Sequence, residues 1–426
     1  MSLEKMKLEN GLTIYNDRIA GARTNDVRMF VPFGSVDEEP GNEGVAHVFE
    51  HCVHLQTDMF ADRVALKRFS DTSGVYTNAS TSFSYTDYYA NGMNLEASMV
   101  HLSQILQHTH FPEEAVAHEL KAVRRELATR LDSPGELHML SAMNAMYGVP
   151  YGRSIGGYTG KIDFDVDTLR ALHERYYKLG NMALMVSGKA TTNEVMELAA
   201  KYFEADAHPD FTATNPAFPT LGTQHRTGFV NEASANSLVS IAYPLQPEEI
   251  QRYNDNSLIN GMACRAIGQQ VFQTLRYERG LSYNGSFGLD DFHPNAVMLS
   301  GDVTTDAENT EASIAAIREV LARGSEAYTD EELLGTMMAY NYSFNQAYNS
   351  NASRLGRIES ALEMRREPTD IRSVMRRIGK VGLVDIRNAI DEQAEYMATH
   401  EPYIHVTGTR AAIGDAERLI ERDEIA

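Results

Sequence analysis

From residue 44 to residue 55 the chain reads Gly-Val-Ala-His-Val-Phe-Glu-His-Cys-Val-His-Leu. Wound as a helix, this segment is apolar nearly all round and belongs in a core. Later stretches alternate in a different way. Leu95-Glu96-Ala97-Ser98-Met99 opens an amphipathic helix to about residue 107, and Pro112-Glu113-Glu114 starts another that runs to about residue 131. The second carries a stripe of Val116, Leu120, Val123 and Leu127. The same order returns further on. Thr310-Glu311-Ala312-Ser313-Ile314 opens a helix to about residue 322, and Thr329 with Glu332 forms a capping box for the next.

Strand-like runs precede these helix pairs, at 27–33 and 85–90 in the first half and at 237–243 and 296–301 in the second. The chain therefore reads as a diverged repeat. The expected class is α+β, with two similar domains, each a mostly antiparallel sheet covered on one side by helices. Pro209, Pro216, Pro219 and Gly222 mark 205–227 as a linker. It would join a first domain at 1–210 to a second at 228–426. The last turns, 415–426, read as a charged surface helix.

Composition narrows the field. With 426 residues the chain exceeds one ordinary core, and 43% hydrophobic with 23% charged residues is globular. Lys and Arg total 38 against 59 Asp and Glu, a formal charge of -21, which argues against nucleic acid as a partner. No apolar window is long enough to span a bilayer, and the start shows no apolar run behind basic residues, so no membrane or secretory role is expected. The only cysteines are Cys52 and Cys264, which fits a reducing compartment and a cytoplasmic location.

The chemistry lies in the apolar helix. His47 and His51 are four apart and Glu50 is beside them, so all three share a face. Two imidazoles and a carboxylate in a core need compensation, and zinc supplies it, taking imidazole nitrogens and a third protein ligand while keeping one position open. The stripe helix offers that ligand. Glu119 and Glu126 are seven apart and project the same way. Glu126 is expected to be the ligand, giving one Zn2+ per chain, and Glu119 the group that orients a ligand or tunes the water. His47-x-x-Glu50-His51 is the inverted zinc motif. A core helix with hydrogen-bonded histidines would leave the downstream carboxylates unexplained.

Several segments then point to one family. They are Gly34-Ser35 through Glu38, Gly44-Val45-Ala46-His47, Asn78-Ala79-Ser80-Thr81 with Thr86-Asp87-Tyr88, Asn181-Met182 with Gly188, and Leu275-Arg276-Tyr277-Glu278-Arg279-Gly280-Leu281-Ser282-Tyr283. The chain resembles the pitrilysin-like (M16) metallopeptidases, which include insulin-degrading enzymes and mitochondrial processing peptidases, and looks most like their short members. The resemblance implies two similar domains facing one another across a chamber. It implies a zinc endopeptidase for short or unfolded peptides, with Glu50 as general base on the metal's water. It also implies that Arg276 and Tyr283 contact the substrate, which would add as a strand beside Asn78, Ala79, Ser80 and Thr81.

Aligning Glu113-Glu114 with Glu331-Glu332 puts Phe344 opposite Glu126, so the second half is expected to hold no metal. Both signatures lie on this chain, which makes a homodimer the simplest arrangement and a heterodimer with a related subunit the alternative. The rival reading is a catalytically silent subunit that binds peptides or serves assembly. Some residues depart from the family's pattern. Cys52 is expected to be core, His54 to share the face of His47, and Gln56-Thr57 stands where Gly-Thr is usual. Asp167 reads as a helix N-cap.

Overall fold

The computed structural model describes residues 3–204 and 218–425. Most of the expected linker lies outside them. Arg226 and Thr227, at its end, already belong to a strand.

Two six-stranded sheets carry the chain. The first contains β1 (Glu4–Lys7), β2 (Thr13–Arg18), β3 (Asn25–Val31), β5 (Val75–Thr81), β6 (Thr86–Gly92) and β8 (Ala183–Gly188). A two-stranded pair, β4 (Gln56–Thr57) and β7 (Thr109–His110), stands apart. The second sheet contains β9 (Arg226–Val230), β10 (Asn236–Pro244), β11 (Gly288–His293), β12 (Ala296–Asp306), β13 (Tyr403–Gly408) and β14 (Arg418–Leu419).

The strand orders are β1-β2-β8-β3-β6-β5 and β14-β9-β13-β10-β12-β11. Without β1 and β14 the two orders are the same. Within each shared five-strand order one pair is parallel, β2 with β8 and β9 with β13, and the other neighbours are antiparallel; β14 adds a second parallel pairing on β9. The repeat read from the helix starts is thus a repeat of topology.

The chain divides into two compact units that exchange segments. The first takes the described residues of Met1–Thr129, Ile155–Pro216 and Asn345–Val374. The second takes those of Arg130–Ser154, Ala217–Phe344 and Met375–Ala426. The units are therefore not the contiguous halves of the sequence reading. Strand alternation explains one exchange. In the first sheet Val27, Met29, Val31, Leu184 and Val186 point into the main core, whereas Phe30, Ala183 and Met185 point to the other face. There Leu355 and Ile358 of the helix Asn351–Glu363 cover them. The expectation of a sheet covered on one side is corrected here. In the second unit the helix Pro134–Tyr147 packs against β13, β9 and β10.

The tail is a further correction. Residues 418–425 form β14 and one turn of 3₁₀ helix, not a charged helix. Ile420 and Ile425 are buried with Leu131, Leu137 and Phe229, which holds this segment against β9. Asp165, not Asp167, caps the helix Val166–Tyr176, accepting from the Thr168 N–H. Among the described residues no helix is long and apolar enough to cross a membrane.

Candidate metal centre

The apolar segment forms a helix of eight residues, Val45–Cys52. It starts at Gly44, whose φ of 94° suits glycine and where a Cβ would meet the Gly156 carbonyl oxygen at 2.2 Å. Glu38 secures this start from outside, its carboxylate accepting from the N–H groups of Gly44 and Ala46 at 2.8 Å each. Val45, Ala46, Val48 and Phe49 are buried, which fixes the rotation of the helix. The helix stops at Cys52, so His54 falls beyond it. Its ring lies 5.9 Å from that of His101 and 6.4 Å from that of Tyr88. Cys52 is fully buried, and burial pushes its thiol up to about 12.

The carboxylate helix Glu113–Arg130 buries Val116, Leu120, Val123 and Leu127 together with Glu119. Its registration brings Glu126 to both imidazoles. Oε1 lies 3.5 Å from His47 Nε2, and Oε2 lies 3.3 Å from His51 Nε2. One ligand atom from each of these three residues lies within 4.8 Å of the others. Two imidazole nitrogens and one carboxylate oxygen are the donor set zinc takes in open sites. On this observation the residues present fit the metal.

The surroundings differ between the two imidazoles. Behind His51, Nδ1 is 2.9 Å from Glu119 Oε1, which leaves Nε2 for a ligand. Behind His47, Nδ1 is buried without a hydrogen-bond partner among the described residues, close to the backbone of Gly156. Glu50 is partly buried, and Thr81 donates to its Oε2 at 2.9 Å.

Electrostatics follow from this packing. Hydrogen bonds from His47 and His51 hold Glu126 far below the usual carboxylate range. Burial would lower His51, but Glu119 and Glu126 outweigh it and raise it to about 9. The field that favours a proton there also favours a cation between the three donors. Burial raises Glu50, against the pull of His47 and His51.

The other expected site residues are placed as follows. Asn78, Ala79, Ser80 and Thr81 lie on β5, an edge strand that among the described residues pairs only with β6. Asn78 and Ser80 are exposed, and Ser80 donates to Asp87. Arg276 and Tyr283 belong to the second unit. The guanidinium sits 4.0 Å from the centre of the Tyr283 ring, and that tyrosine is 77% exposed. Arg276 lies in a π-helical turn, Thr274–Glu278, that ends the long helix Ser257–Gln273.

The sequence matches the description "Insulinase (Peptidase family M16)" over residues 16–157 and "Peptidase M16 inactive domain" over residues 163–340. The chain belongs to the M16 peptidase family. Among its relatives is an uncharacterised zinc protease of Rickettsia bellii, 23% identical over 395 residues, covering 90% of this chain and 94% of that one. The probable mitochondrial-processing peptidase subunit beta of Arabidopsis thaliana is 28% identical over 201 residues, covering 46% of this chain and 38% of that one. Two solved structures share the fold. A protease from Helicobacter pylori matches with a TM-score of 0.79 at 18% identity, over 95% of this chain and 99% of that one. A peptidase M16 inactive domain from Pseudomonas fluorescens matches with a TM-score of 0.81 at 16% identity, over 96% and 98%.

Sequence reasoning missed Arg63 and Gly156. It saw Glu38 and Thr81 without their contacts to the helix start and to Glu50. An arginine in the first turn of a helix opposes the helix dipole, and that is the signal that could have drawn attention to Arg63.

Proposed function

We propose that this M16 chain is a zinc-dependent endopeptidase acting on short or unfolded peptides. The observation that carries the reading is the convergence of His47, His51 and Glu126, with Glu50 one residue away on the same helix. His47, His51 and Glu126 hold one zinc ion. When bound, that ion supplies a Lewis acid that acidifies water and polarises a carbonyl. Glu50 is the general base and later the acid for the leaving amine. Thr81 holds its Oε2, and Oε1 is the oxygen that takes the proton. Burial makes this carboxylate a better base than one in water. Glu119 fixes the ring of His51.

The peptide adds to the free edge of β5 at Asn78, Ala79, Ser80 and Thr81, because a strand edge offers unpaired backbone groups at regular spacing. Arg276, stacked on Tyr283, contacts substrate through a guanidinium and a phenol. With both signatures on one chain, a homodimer is the proposed assembly, and light scattering on the purified protein measures it.

The test is turnover of a quenched fluorescent peptide library by the parent protein and by Glu50→Gln, with zinc assayed in both. The expected result is equal zinc and a fall in turnover of about 10²–10⁴-fold, the usual weight of a general base. Equal zinc with turnover in neither would favour a peptide-binding or assembly subunit. Absence of zinc from both would overturn the reading.

A further inference from the structure

The two histidines of the centre are supported unequally. His47 Nδ1 has no polar partner among the described residues, so on that side of the ring only packing holds it. His51 Nδ1 has Glu119, and Glu119 is itself held. Arg63 Nη1 donates to both of its oxygens, at 3.0 and 3.1 Å, and Arg63 Nη2 donates to the backbone carbonyl of His51 at 3.3 Å. One guanidinium therefore grips both ends of the His51 assembly, the carboxylate behind the ring and the main chain beneath it.

We propose that Arg63 is a positioning residue of the metal centre, setting the orientation of His51 through Glu119. This rests on the zinc reading above. Arg63 is the first residue of the helix Arg63–Thr72, whose N-cap Asp62 accepts from the Ala65 N–H at 2.8 Å. A cation in a first helical turn costs stability against the helix dipole. Glu119 is buried, at 6% exposure, and an uncompensated carboxylate there would be expensive. Each group answers the other's cost. Both oxygens of Glu119 accept from Arg63 and its Oε1 lies 2.9 Å from His51 Nδ1, which turns the ring so that Nε2 is left as the ligand atom.

The arginine cannot be replaced by a charge alone. A planar fork reaches Glu119 and the His51 carbonyl at once, whereas an ammonium on a flexible stem is a point charge. Arg63 is half-exposed, with 47% of its side chain accessible, so its removal leaves no large cavity.

The experiment compares parent, Arg63→Met, Arg63→Lys and Glu119→Gln as full chains. Zinc affinity is read by chelator competition, and the visible spectrum of the cobalt-substituted proteins reports ligand geometry. Thermal unfolding of each protein stripped of metal serves as the fold control. The expected result for Arg63→Met is zinc affinity about 10–100-fold weaker, the range for groups that orient ligands. Its cobalt bands should be altered, and its metal-free melting should fall, because Glu119 loses a partner, yet remain a cooperative transition well above the assay temperature. Arg63→Lys should fall between Met and the parent. Zinc affinity within twofold of the parent in Arg63→Met, beside a weakened Glu119→Gln, would overturn the role of Arg63 and leave the metal reading standing. Full parental affinity in Arg63→Lys would overturn the fork. A parent that binds no zinc would overturn both readings together.

Discussion

The helices Glu113–Arg130 and Asp330–Tyr348 start alike and end differently. Each opens on carboxylates, Glu113 and Glu114 in one, Asp330, Glu331 and Glu332 in the other. Aligned there, Glu126 falls opposite Phe344 and Leu120 opposite Met338. The first helix buries five side chains, Glu119 among them. The second buries Leu333 and Thr336, and leaves Leu334, Met338 and Tyr342 exposed at 48, 73 and 64%. Topology was kept between the two units while the use of this helix was not. A helix can bring a carboxylate to a buried imidazole pair only if its apolar stripe fixes its rotation, and only the first helix has a buried stripe.

The largest effect expected from this contrast is on the metal. Glu126→Gln removes a ligand and should weaken zinc binding by more than the roughly 10–100-fold typical of an orienting group. Phe344→Glu restores the carboxylate in the second unit, yet should add no second zinc. Among the described residues only one cluster could hold a metal, and a lone glutamate does not make another. Zinc counted per chain in both variants checks this. A second equivalent of zinc in Phe344→Glu would break the comparison.

How far the sequence speaks for such differences depends on the distance involved. The face shared by His47, Glu50 and His51 and the two-turn spacing of Glu119 and Glu126 follow from helical periodicity, and the geometry matches. Helix starts were legible for the same reason, as with the capping box of Thr329 and Glu332. What escaped depends on packing. The stop of the motif helix at Cys52 left His54 beyond its end, with its ring near those of His101 and Tyr88. The crossing of Asn351–Glu363 into the first unit is set by Phe30 and Met185 on the far side of a sheet, which no local pattern reports. Its place in a first helical turn marks Arg63 as unusual, but its partner Glu119 appears only in the fold. At 415–425 charge suggested a surface helix, but two isoleucines outweighed it.

A moderate effect sharpens the same contrast in stability. Leu120 is 5% exposed and its counterpart Met338 is 73% exposed. Leu120→Ala empties part of a core and should cost about 2–5 kcal/mol. Met338→Ala removes a solvated side chain and should stay within about 0.5 kcal/mol. Denaturant unfolding of the two variants, with the midpoint of each unit's transition followed separately, measures the difference. A cost above about 1.5 kcal/mol for Met338→Ala, well beyond that surface range, would show that this stripe is covered in solution.

The smallest effect concerns pH, and there the two units should respond in opposite directions. In the first, burial and the neighbouring Asp87 push Glu359 up from 4.5 to about 7, against the pull of Arg28, with which it pairs. Between those values the folded state holds more protons, so this group's stabilisation is present below about 4.5 and is lost as pH rises through about 7. In the second, burial lowers His138 from 6.5 to about 4 and depresses His405 strongly. His138 bridges Thr407 and Ser240 as a neutral ring. Here the unfolded state holds more protons, so the stabilisation is present above about 6.5 and is lost as pH falls towards about 4. Each shift is worth about 1–3 kcal/mol, less where solvent screens it. Melting from pH 5 to pH 7.5 separates the two. Glu359→Gln should lose less stability than the parent on the way up, and His138→Gln less than the parent on the way down. If both variants flatten the same limb, the buried charges of the two units do not oppose one another, and burial alone does not account for their directions.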